Sequence, residues 1–380
     1  MKKIALIGST GSIGKQVIEV VNAYPQKFKI VAMSAERNFA LFQEQLHAIK
    51  PELACLKDEL CASKITEVPK GTTFVGGVDG ARTVATYDTA DVVFVACGGF
   101  AGLEYSLLAL KSGKNVALAN KETLVCGGEI VMPLVHGDNL VPVDSEHSAI
   151  WQCLDFNSNK KLKSLIITAS GGALRNYTKE QLALVTPEIA LNHPTWKMGK
   201  KITIDSATML NKGYEIIEAH HLYSTPYHSI QAVVHPQSII HSLVRFDDGA
   251  LIAQLSNPSM ILPIQMALTH PERLPTGIAD MDFDIPFSLE FKPLDEKRYP
   301  LFGLALDCGR AGGIMPTVLN AVSEVADWAF INGQIKFLEL YDVVQKVVEQ
   351  TPYAPVTDFE GLCEVDARTR AFAQKVIKEL

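Results

Sequence analysis

The sequence predicts an α/β protein in three parts, and three observations carry that prediction. A short apolar strand at the N-terminus runs into Gly8, Gly11 and Gly14 and then into a helical pattern. A central stretch alternates apolar and polar residues about a turn at Asp247, Asp248 and Gly249. From Leu301 onward the apolar residues recur at helical spacing. The parts read as a Rossmann-like dinucleotide domain over 1–143, a central α/β domain with a mostly antiparallel sheet over 144–270, a linker over 271–300 and a C-terminal helical bundle over 301–380. With 380 residues the chain exceeds what one core usually supports, so division into domains is expected.

Lys3 to Ile7 is apolar and β-branched, and Gly8-Ser-Thr-Gly-Ser-Ile-Gly14 follows before a helix from Lys15 to Asn22. Strand, glycine turn and helix present free backbone N–H groups and a helix N-terminus to a diphosphate. The spacing is G-x-x-G-x-x-G rather than G-x-G-x-x-G, so the register differs from the commoner fingerprint, and the three glycines also describe a plain tight turn. The second strand, Lys29 to Met33, ends at Ser34, Ala35, Glu36, Arg37 and Asn38, where a residue reading the adenosine ribose is expected. Glu36 suits a free 2′-hydroxyl, whereas Ser34, Arg37 and Asn38 suit a 2′-phosphate. The fixed charge of Arg37 favours the phosphate and hence NADP. A Glu–Arg pair on a solvated helix start has the same sequence.

After their first residues, Asp91 to Ala96 and Asn115 to Ala119 are apolar, as strands inside a covered parallel sheet are. The second ends in Asn120-Lys-Glu-Thr123, and ligands collect at the carboxyl ends of such strands, although a Lys–Glu pair also caps helices. Leu140 to Val143 leads into Asp144-Ser-Glu-His147. If the strand continues, Asp144 and Glu146 point to one side with backbones about 7 Å apart. Two carboxylates aimed into one space need water, a proton or a cation, and hard oxygen ligands suit Mg²⁺ or Mn²⁺; a solvated turn is the plainer reading.

The next strand, Leu165 to Ala169, runs into Ser170-Gly-Gly172, which is either an anion-binding nest or a simple turn. Asn192 to Gly199, with His193, Pro194 and Trp196, fits neither helix nor strand and reads as a lid loop; a buried histidine and a core tryptophan are the alternatives. Asn211, Lys212 and Glu215 share a helix face just after Asp205-Ser206, as a phosphate and metal site or as an internal salt bridge. Gln231 to Leu255 reads as a hairpin whose first arm carries His235 and His241 as packed residues, and whose face offers a dimer surface. Five prolines between 271 and 300 mark the linker, and Pro316 to Phe330, Phe337 to Gln350 and Glu364 to Leu380 read as amphipathic helices.

Composition sets the outer limits. With 47 % hydrophobic and 20 % charged residues the chain reads as an ordinary soluble globular protein. A net charge of −7 without a dense basic run argues against nucleic acid or an anionic membrane as partner. Seven scattered cysteines without Cys-x-x-Cys spacing read as reduced thiols, not as disulfides or a zinc site. A strand starting almost at Met1 leaves no room for a leader, and no apolar run reaches spanning length, so a reducing cytoplasm is expected.

Taken together, six motifs resemble the 1-deoxy-D-xylulose 5-phosphate reductoisomerase family across essentially the whole chain. They are Gly-Ser-Thr-Gly-Ser-Ile-Gly at 8–14, Leu-Ala-Asn-Lys-Glu at 118–122, Asp-Ser-Glu-His at 144–147, Ser-Gly-Gly at 170–172, His-Pro-Thr-Trp-x-Met-Gly at 193–199 and Asp-Ser-Ala-Thr-Met-Leu-Asn-Lys-Gly-x-Glu at 205–215. The resemblance implies a metal, Mn²⁺ or Mg²⁺, on Asp144, Glu146 and Glu215. It implies a sugar phosphate held by Ser170, Ser206, Asn211 and Lys212, with His193 and the Trp196 loop closing over it. NADPH would lie along Gly8, Thr10, Gly11, Ser12 and Ile13, with Glu36, Arg37 and Asn38 at the adenosine end and Asn120, Glu122 and Gly199 nearer the nicotinamide. Lys121, Ser145 and Glu146 would handle substrate oxygens and protons while a ketose phosphate rearranges to a branched aldehyde and is reduced to 2-C-methyl-D-erythritol 4-phosphate. A homodimer is implied as well. Glu36 and the Ala173-Leu174 pair depart from the commoner family residues. A simple NADP-dependent dehydrogenase with a structural metal and a catalytically dead NADPH-binding regulator are the rival expectations.

Overall fold

The computed structural model describes residues 1–155 and 162–380, which form two compact units. The first comprises Met1–Thr123, Pro133–Ser148 and Ser259–Ile278; the second comprises Leu124–Met132, Ala149–Pro258 and Ala279–Leu380.

The first unit is built on a seven-stranded sheet of β1 (Lys2–Ile7), β2 (Phe28–Ala35), β3 (Leu53–Leu56), β4 (Thr73–Gly76), β5 (Val92–Val95), β6 (Asn115–Leu118) and β7 (Leu140–Pro142). Their order is β4-β3-β2-β1-β5-β6-β7, and each pairing is parallel. This is the Rossmann-like arrangement expected for the N-terminal part, with β1 and β5 adjacent where the strand order reverses. The four residues of β5 are buried on both faces, which explains their unbroken apolar run. The helix Ser12–Ala23 turns Val17, Val20 and Val21 onto Ile4, Leu6, Phe28 and Ile30. Further along the chain the helix Ile261–Thr269 packs on that same helix and adds Ile264 and Leu268 to one core.

The second unit carries β8 (Leu162–Ala169), β9 (Ile230–Val234), β10 (Ile240–Phe246), β11 (Leu251–Leu255) and β12 (Lys292–Pro293), ordered β11-β10-β8-β9-β12. This sheet is mixed, where a mostly antiparallel one was expected: β8 and β9 run parallel and the other pairings are antiparallel. The reason lies in the connections. β10 and β11 are joined by the short turn at Asp247–Gly249, whereas β8 reaches β9 through helices, the long crossover that a parallel pair requires. The stretch from Gln231 to Leu255 is therefore not one hairpin. It breaks at His235, and its two halves lie on opposite sides of β8. His235 sits in that break, where Nε2 accepts from the backbone N–H groups of Ile239 (3.2 Å) and Ile240 (3.1 Å). The proline-rich stretch also gives β12 to the sheet edge, pairing Lys292 with Val234.

Four helices follow, Pro300–Ala311, Met315–Ile331, Glu339–Glu349 and Phe359–Lys378, with the second packed on each of the others. The helix Leu210–Tyr223 packs on the helix Pro300–Ala311 through Gly213, where a Cβ would lie 2.4 Å from the Ala305 side chain. Among the described residues no helix is long and apolar enough to cross a membrane.

Two glycine substitutions test these packing assignments. At Gly14 a Cβ would come within 2.2 Å of the Gly8 carbonyl oxygen, so Gly14→Ala is expected to cost about 1–3 kcal/mol. At Gly303, in the helix Pro300–Ala311, a Cβ meets nothing within 4 Å, so Gly303→Ala is expected to be neutral or to stabilise by up to about 1 kcal/mol. Urea unfolding midpoints measure both; equal shifts for the two would contradict the close approach of helix to strand at Gly14.

Candidate active site

The glycine turn owes its shape to two contacts. Gly8 has φ +89°, and a Cβ there would meet the Ala96 and Cys97 backbone at 2.8–2.9 Å. Gly14 lies against Gly8, so the helix starts on top of the strand, as in turns that receive a diphosphate. Gly11 stands at the N-cap with no side chain to offer the first N–H groups of the helix, leaving that end to a ligand. Sequence reasoning missed Gln45. Its side chain accepts from Ser9 Oγ at 2.8 Å and donates to the Ser9 carbonyl at 2.9 Å, locking the turn from below. The one available signal was a glutamine on the apolar face of the helix Phe39–Ile49.

At the end of β2, Glu36, Arg37 and Asn38 are all exposed. Arg37 is 3.3 Å from Asp58 with three-quarters of its side chain in solvent, and Asn38 caps the next helix by accepting from the Leu41 N–H at 3.3 Å. Asp58 itself is held below the usual carboxylate range, chiefly by the Cys61 N–H and then, against its desolvation, by Arg37.

Beyond β6, Asn120 is 1 % exposed. Its Nδ2 donates to the carbonyls of Cys97 (3.1 Å) and Gly99 (2.9 Å) and to Glu122 Oε2 (2.9 Å), while Oδ1 accepts from the Thr123 N–H (2.9 Å). The beginning of the helix Ala101–Lys111 rests directly on it, since a Cβ at Gly102 would lie 2.3 Å from the Asn120 amide. Asn120 thus holds the β5 and β6 loops in register, and Lys121 and Glu122 leave that anchor in fixed directions. Lys121 Nζ is 2.8 Å from Asp144 Oδ2, and Ser145 Oγ donates to Glu146 Oε2 at 2.6 Å. The strand expected to carry Asp144 and Glu146 stops at Pro142, and Ser145 begins a helix to Asp155. Asp144 and Glu146 are therefore brought together by a strand-to-helix turn rather than by strand alternation.

In the second unit Ser170 follows β8 into Gly171 and Gly172, both at positive φ (+85° and +71°). A Cβ at Gly172 would lie 2.4 Å from the Ser206 carbonyl oxygen, so this turn sits on the last turn of the helix Lys200–Ala207. The loop at 192–199 is irregular, as expected. Within it His193 Nδ1 accepts from the N–H groups of Thr195 (3.1 Å) and Trp196 (2.9 Å), which places the ring proton on Nε2. Nε2 then donates to Ser170 Oγ at 2.9 Å, and Gly172 N–H donates to the same oxygen at 3.1 Å. With both acceptor positions of Ser170 taken, its hydroxyl proton is left to donate outward. Burial, and then the nearby Arg175 charge, push His193 down to about 4, so the ring is neutral near pH 7. Trp196 meets His241 edge-on with centroids 6.3 Å apart. On the helix Leu210–Tyr223, Asn211 and Lys212 both donate to Glu215, as their spacing predicted. Lys212 is 4 % and Glu215 1 % exposed. Gly199 is the N-cap of the helix Lys200–Ala207. A second residue missed from sequence is Arg298, in the stretch read as linker, whose Nη2 donates to the carbonyls of Leu174 (2.9 Å) and Arg175 (3.3 Å) and fixes the chain after the glycine turn.

Among the described residues, Asp144 and Glu146 of the first unit each offer a carboxylate oxygen within 4.8 Å of the other, and Glu215 of the second unit carries a further buried carboxylate. That donor set is all hard oxygen and suits Mg²⁺ or Mn²⁺. Two of its members already sit beside ammonium groups, Asp144 beside Lys121 and Glu215 beside Lys212, so cationic charge is what these carboxylates are arranged to face.

Comparison with known proteins identifies the family. The family model for 1-deoxy-D-xylulose 5-phosphate reductoisomerase matches residues 4–128, and two models for its C-terminal domains match 140–223 and 255–372. The reductoisomerase of Thermodesulfovibrio yellowstonii is 42 % identical and that of Pelotomaculum thermopropionicum 44 % identical, each over 100 % of both chains. Among solved structures, the reductoisomerase from Zymomonas mobilis in complex with NADPH superposes with a TM-score of 0.92 at 35 % identity over 100 % of both chains. A DOX-P reductoisomerase in complex with NADPH, fosmidomycin and magnesium gives a TM-score of 0.92 at 32 % identity, covering 100 % of this chain and 98 % of that one. With three family models covering most of its length and full-length relatives well above 30 % identity, this chain belongs to the 1-deoxy-D-xylulose 5-phosphate reductoisomerase family.

Proposed function

We infer that this protein converts 1-deoxy-D-xylulose 5-phosphate to 2-C-methyl-D-erythritol 4-phosphate in isoprenoid precursor biosynthesis, using NADPH and a divalent ion, Mg²⁺ or Mn²⁺. The observation that carries the reading is the similarity to reductoisomerases from end to end, in a chain whose Asp144 and Glu146 oxygens lie within 4.8 Å of each other. Asp144, Glu146 and Glu215 would hold the ion, and the glycine turn at Gly8, Thr10, Gly11, Ser12 and Ile13 would receive the NADPH diphosphate. When bound, the ion supplies Lewis acidity toward neighbouring oxygens of the ketose and NADPH supplies the hydride.

The side chains do the rest. Lys121, held at 2.8 Å from Asp144, places a positive charge where a substrate oxygen gains negative charge. Ser145, donating to Glu146 at 2.6 Å, forms with it a hydroxyl–carboxylate pair able to pass a proton to or from a substrate hydroxyl. Ser170 donates its remaining proton to the substrate phosphate, and Ser206, Asn211 and Lys212 supply the other hydroxyl, amide and ammonium. Neutral His193 orients Ser170 without adding charge, and Trp196 covers the apolar part of the substrate when its loop closes. Binding the phosphate away from the reacting carbons fixes their position, which is how distal binding contributes to rate. Arg37 would meet the 2′-phosphate, with Glu36 and Asn38 beside it, while Asn120, Glu122 and Gly199 serve the nicotinamide end. We assign NADPH binding to 1–143, catalysis and dimerisation to 144–270, connection to 271–300 and bracing to the helices of 301–380. We also take the protein to be a cytoplasmic homodimer acting on a small sugar phosphate, with neither nucleic acid nor membrane as partner; the seven free cysteines fit a reducing compartment.

Incubation with the ketose phosphate, NADPH and Mn²⁺ is expected to oxidise the cofactor and give a branched product, and both should cease on chelation. Cofactor oxidation with an unbranched product would instead indicate a simple dehydrogenase. Ser170→Ala is expected to raise KM about 10- to 100-fold with a smaller change in kcat, the loss of one hydrogen bond to a charged group. His193 has a folded pKa below its unfolded value, so the stability it adds is present above about 6.5 and lost as pH falls toward 4. His193→Gln should therefore flatten the thermal stability profile between those limits; an unchanged slope would show that the ring is charged in the folded protein.

A further inference from the structure

The helix Lys200–Ala207 packs on the helix Met315–Ile331, and the side chain of Asp205 on the first hydrogen-bonds that of Asp327 on the second. Asp205 is 2 % and Asp327 3 % exposed. Lys201, one turn before Asp205, reaches Asp205 Oδ2 at 2.7 Å and lies 5.0 Å from the centre of the Tyr214 ring. Asp205 Oδ1 and Asp327 Oδ2 are both buried, and no donor among the described residues reaches either oxygen. Two ionised carboxylates in contact, away from water, would repel strongly; a single proton between them removes the repulsion and supplies the missing donor. Burial first, and then the Asp205 charge, hold the Asp327 acid well above the usual carboxylate range, and its side chain hydrogen-bonds that of Asp205.

The neighbouring groups fit this state. The Tyr214 hydroxyl is engaged with Ser323 Oγ at 2.6 Å. Glu324, one turn before Asp327, is paired with Arg370 at 2.6 Å, and Arg370 also holds Asp366 at 2.7 Å. Glu218, on the helix Leu210–Tyr223 that packs on the helix Lys200–Ala207, is a further fully buried carboxyl group. With one proton on the two aspartates, Lys201, Asp205 and Asp327 together carry no net charge.

We propose that Asp205 and Asp327 share one proton beside the Lys201 ammonium, and that this neutral triad positions Ser206 for the substrate phosphate. The positioning role rests on the reading of Ser206 as a phosphate ligand given above. Asp205 immediately precedes Ser206, and the Gly172 turn bears on the Ser206 carbonyl so closely that a Cβ would lie 2.4 Å from it. Movement of the last turn of that helix therefore displaces both the Ser206 hydroxyl and the turn that carries Ser170. Asp205 and Asp327 are positioning residues and touch no substrate atom.

The test uses the full chain with Asp327→Asn, Asp327→Leu and Ser206→Ala. Since the folded pKa of Asp327 is raised, the stability it contributes is present at low pH and lost as pH climbs through the folded value. The parent Tm should fall as pH rises above the ordinary carboxylate range and through the folded value, and Asp327→Asn, a neutral donor of the same shape, should keep the neutral-pH Tm and remove that part of the decline. Asp327→Leu should raise KM for the sugar phosphate about tenfold with kcat changed less than about threefold, while Asp327→Asn restores KM to near the parent value. Identical pH slopes for the parent and Asp327→Asn, or a large loss of Tm at neutral pH in Asp327→Asn, would overturn the shared proton even if Asp327→Leu fails to fold. A raised KM in Ser206→Ala with an unchanged KM in Asp327→Leu would overturn the positioning role. An unchanged KM in Ser206→Ala would defeat the phosphate reading of Ser206, and the positioning role with it.

Discussion

The site depends on keeping buried carboxylates ionised beside buried ammonium groups. Lys212 and Glu215 are almost fully buried on one face of a helix, and Lys121 and Asp144 are nearly so at the ends of two parallel strands. Removing one member of such a pair leaves an uncompensated charge, at a cost on the order of 3–5 kcal/mol. Each pair therefore fixes two things at once: the carboxylate stays charged, and the lysine is held in one place. On the proposed reading these carboxylates would receive a cation and these ammonium groups the substrate oxygens, and both are in place beforehand, which is the preorganisation that electrostatic catalysis requires.

Around these pairs the polar side chains are used mainly to hold backbone. Asn120 spends its amide on the Cys97 and Gly99 carbonyls, Gln45 locks the turn at Ser9, and Arg298 ties down the carbonyls after the Ser170 turn. None of these needs to touch a substrate to matter. Each determines where a neighbouring group points, Lys121 in the first case and Ser170 in the last. His193 belongs to the same class: two backbone donors set its tautomer, and the tautomer decides that Ser170 is left with a proton to give.

Much of this was legible in the sequence because it is local. The glycine turn follows its strand directly, and Asn211, Lys212 and Glu215 meet because one helical turn brings them together. The failures came where pairing is not local. Ile230 lies beside Leu165 although the chain makes a helical excursion between them, so the mixed order of the second sheet could not be read from alternation. Asp144 and Glu146 were expected on a strand, but that strand ends at Pro142 and the segment turns into a helix at Ser145. The Asp205–Asp327 contact joins two helices far apart along the chain, and an aspartate within a helical pattern gives no sign of a partner so distant.

The most direct measurement is metal binding in the absence of substrate and NADPH. Titration of the metal-free protein with Mn²⁺, followed by electron paramagnetic resonance, is expected to show one tight site per chain. Replacing Asp144 by Asn or Glu215 by Gln should each weaken it by at least about 100-fold, more than the loss of an outer-shell partner. Equal Mn²⁺ affinity in the parent and in both variants would contradict the account.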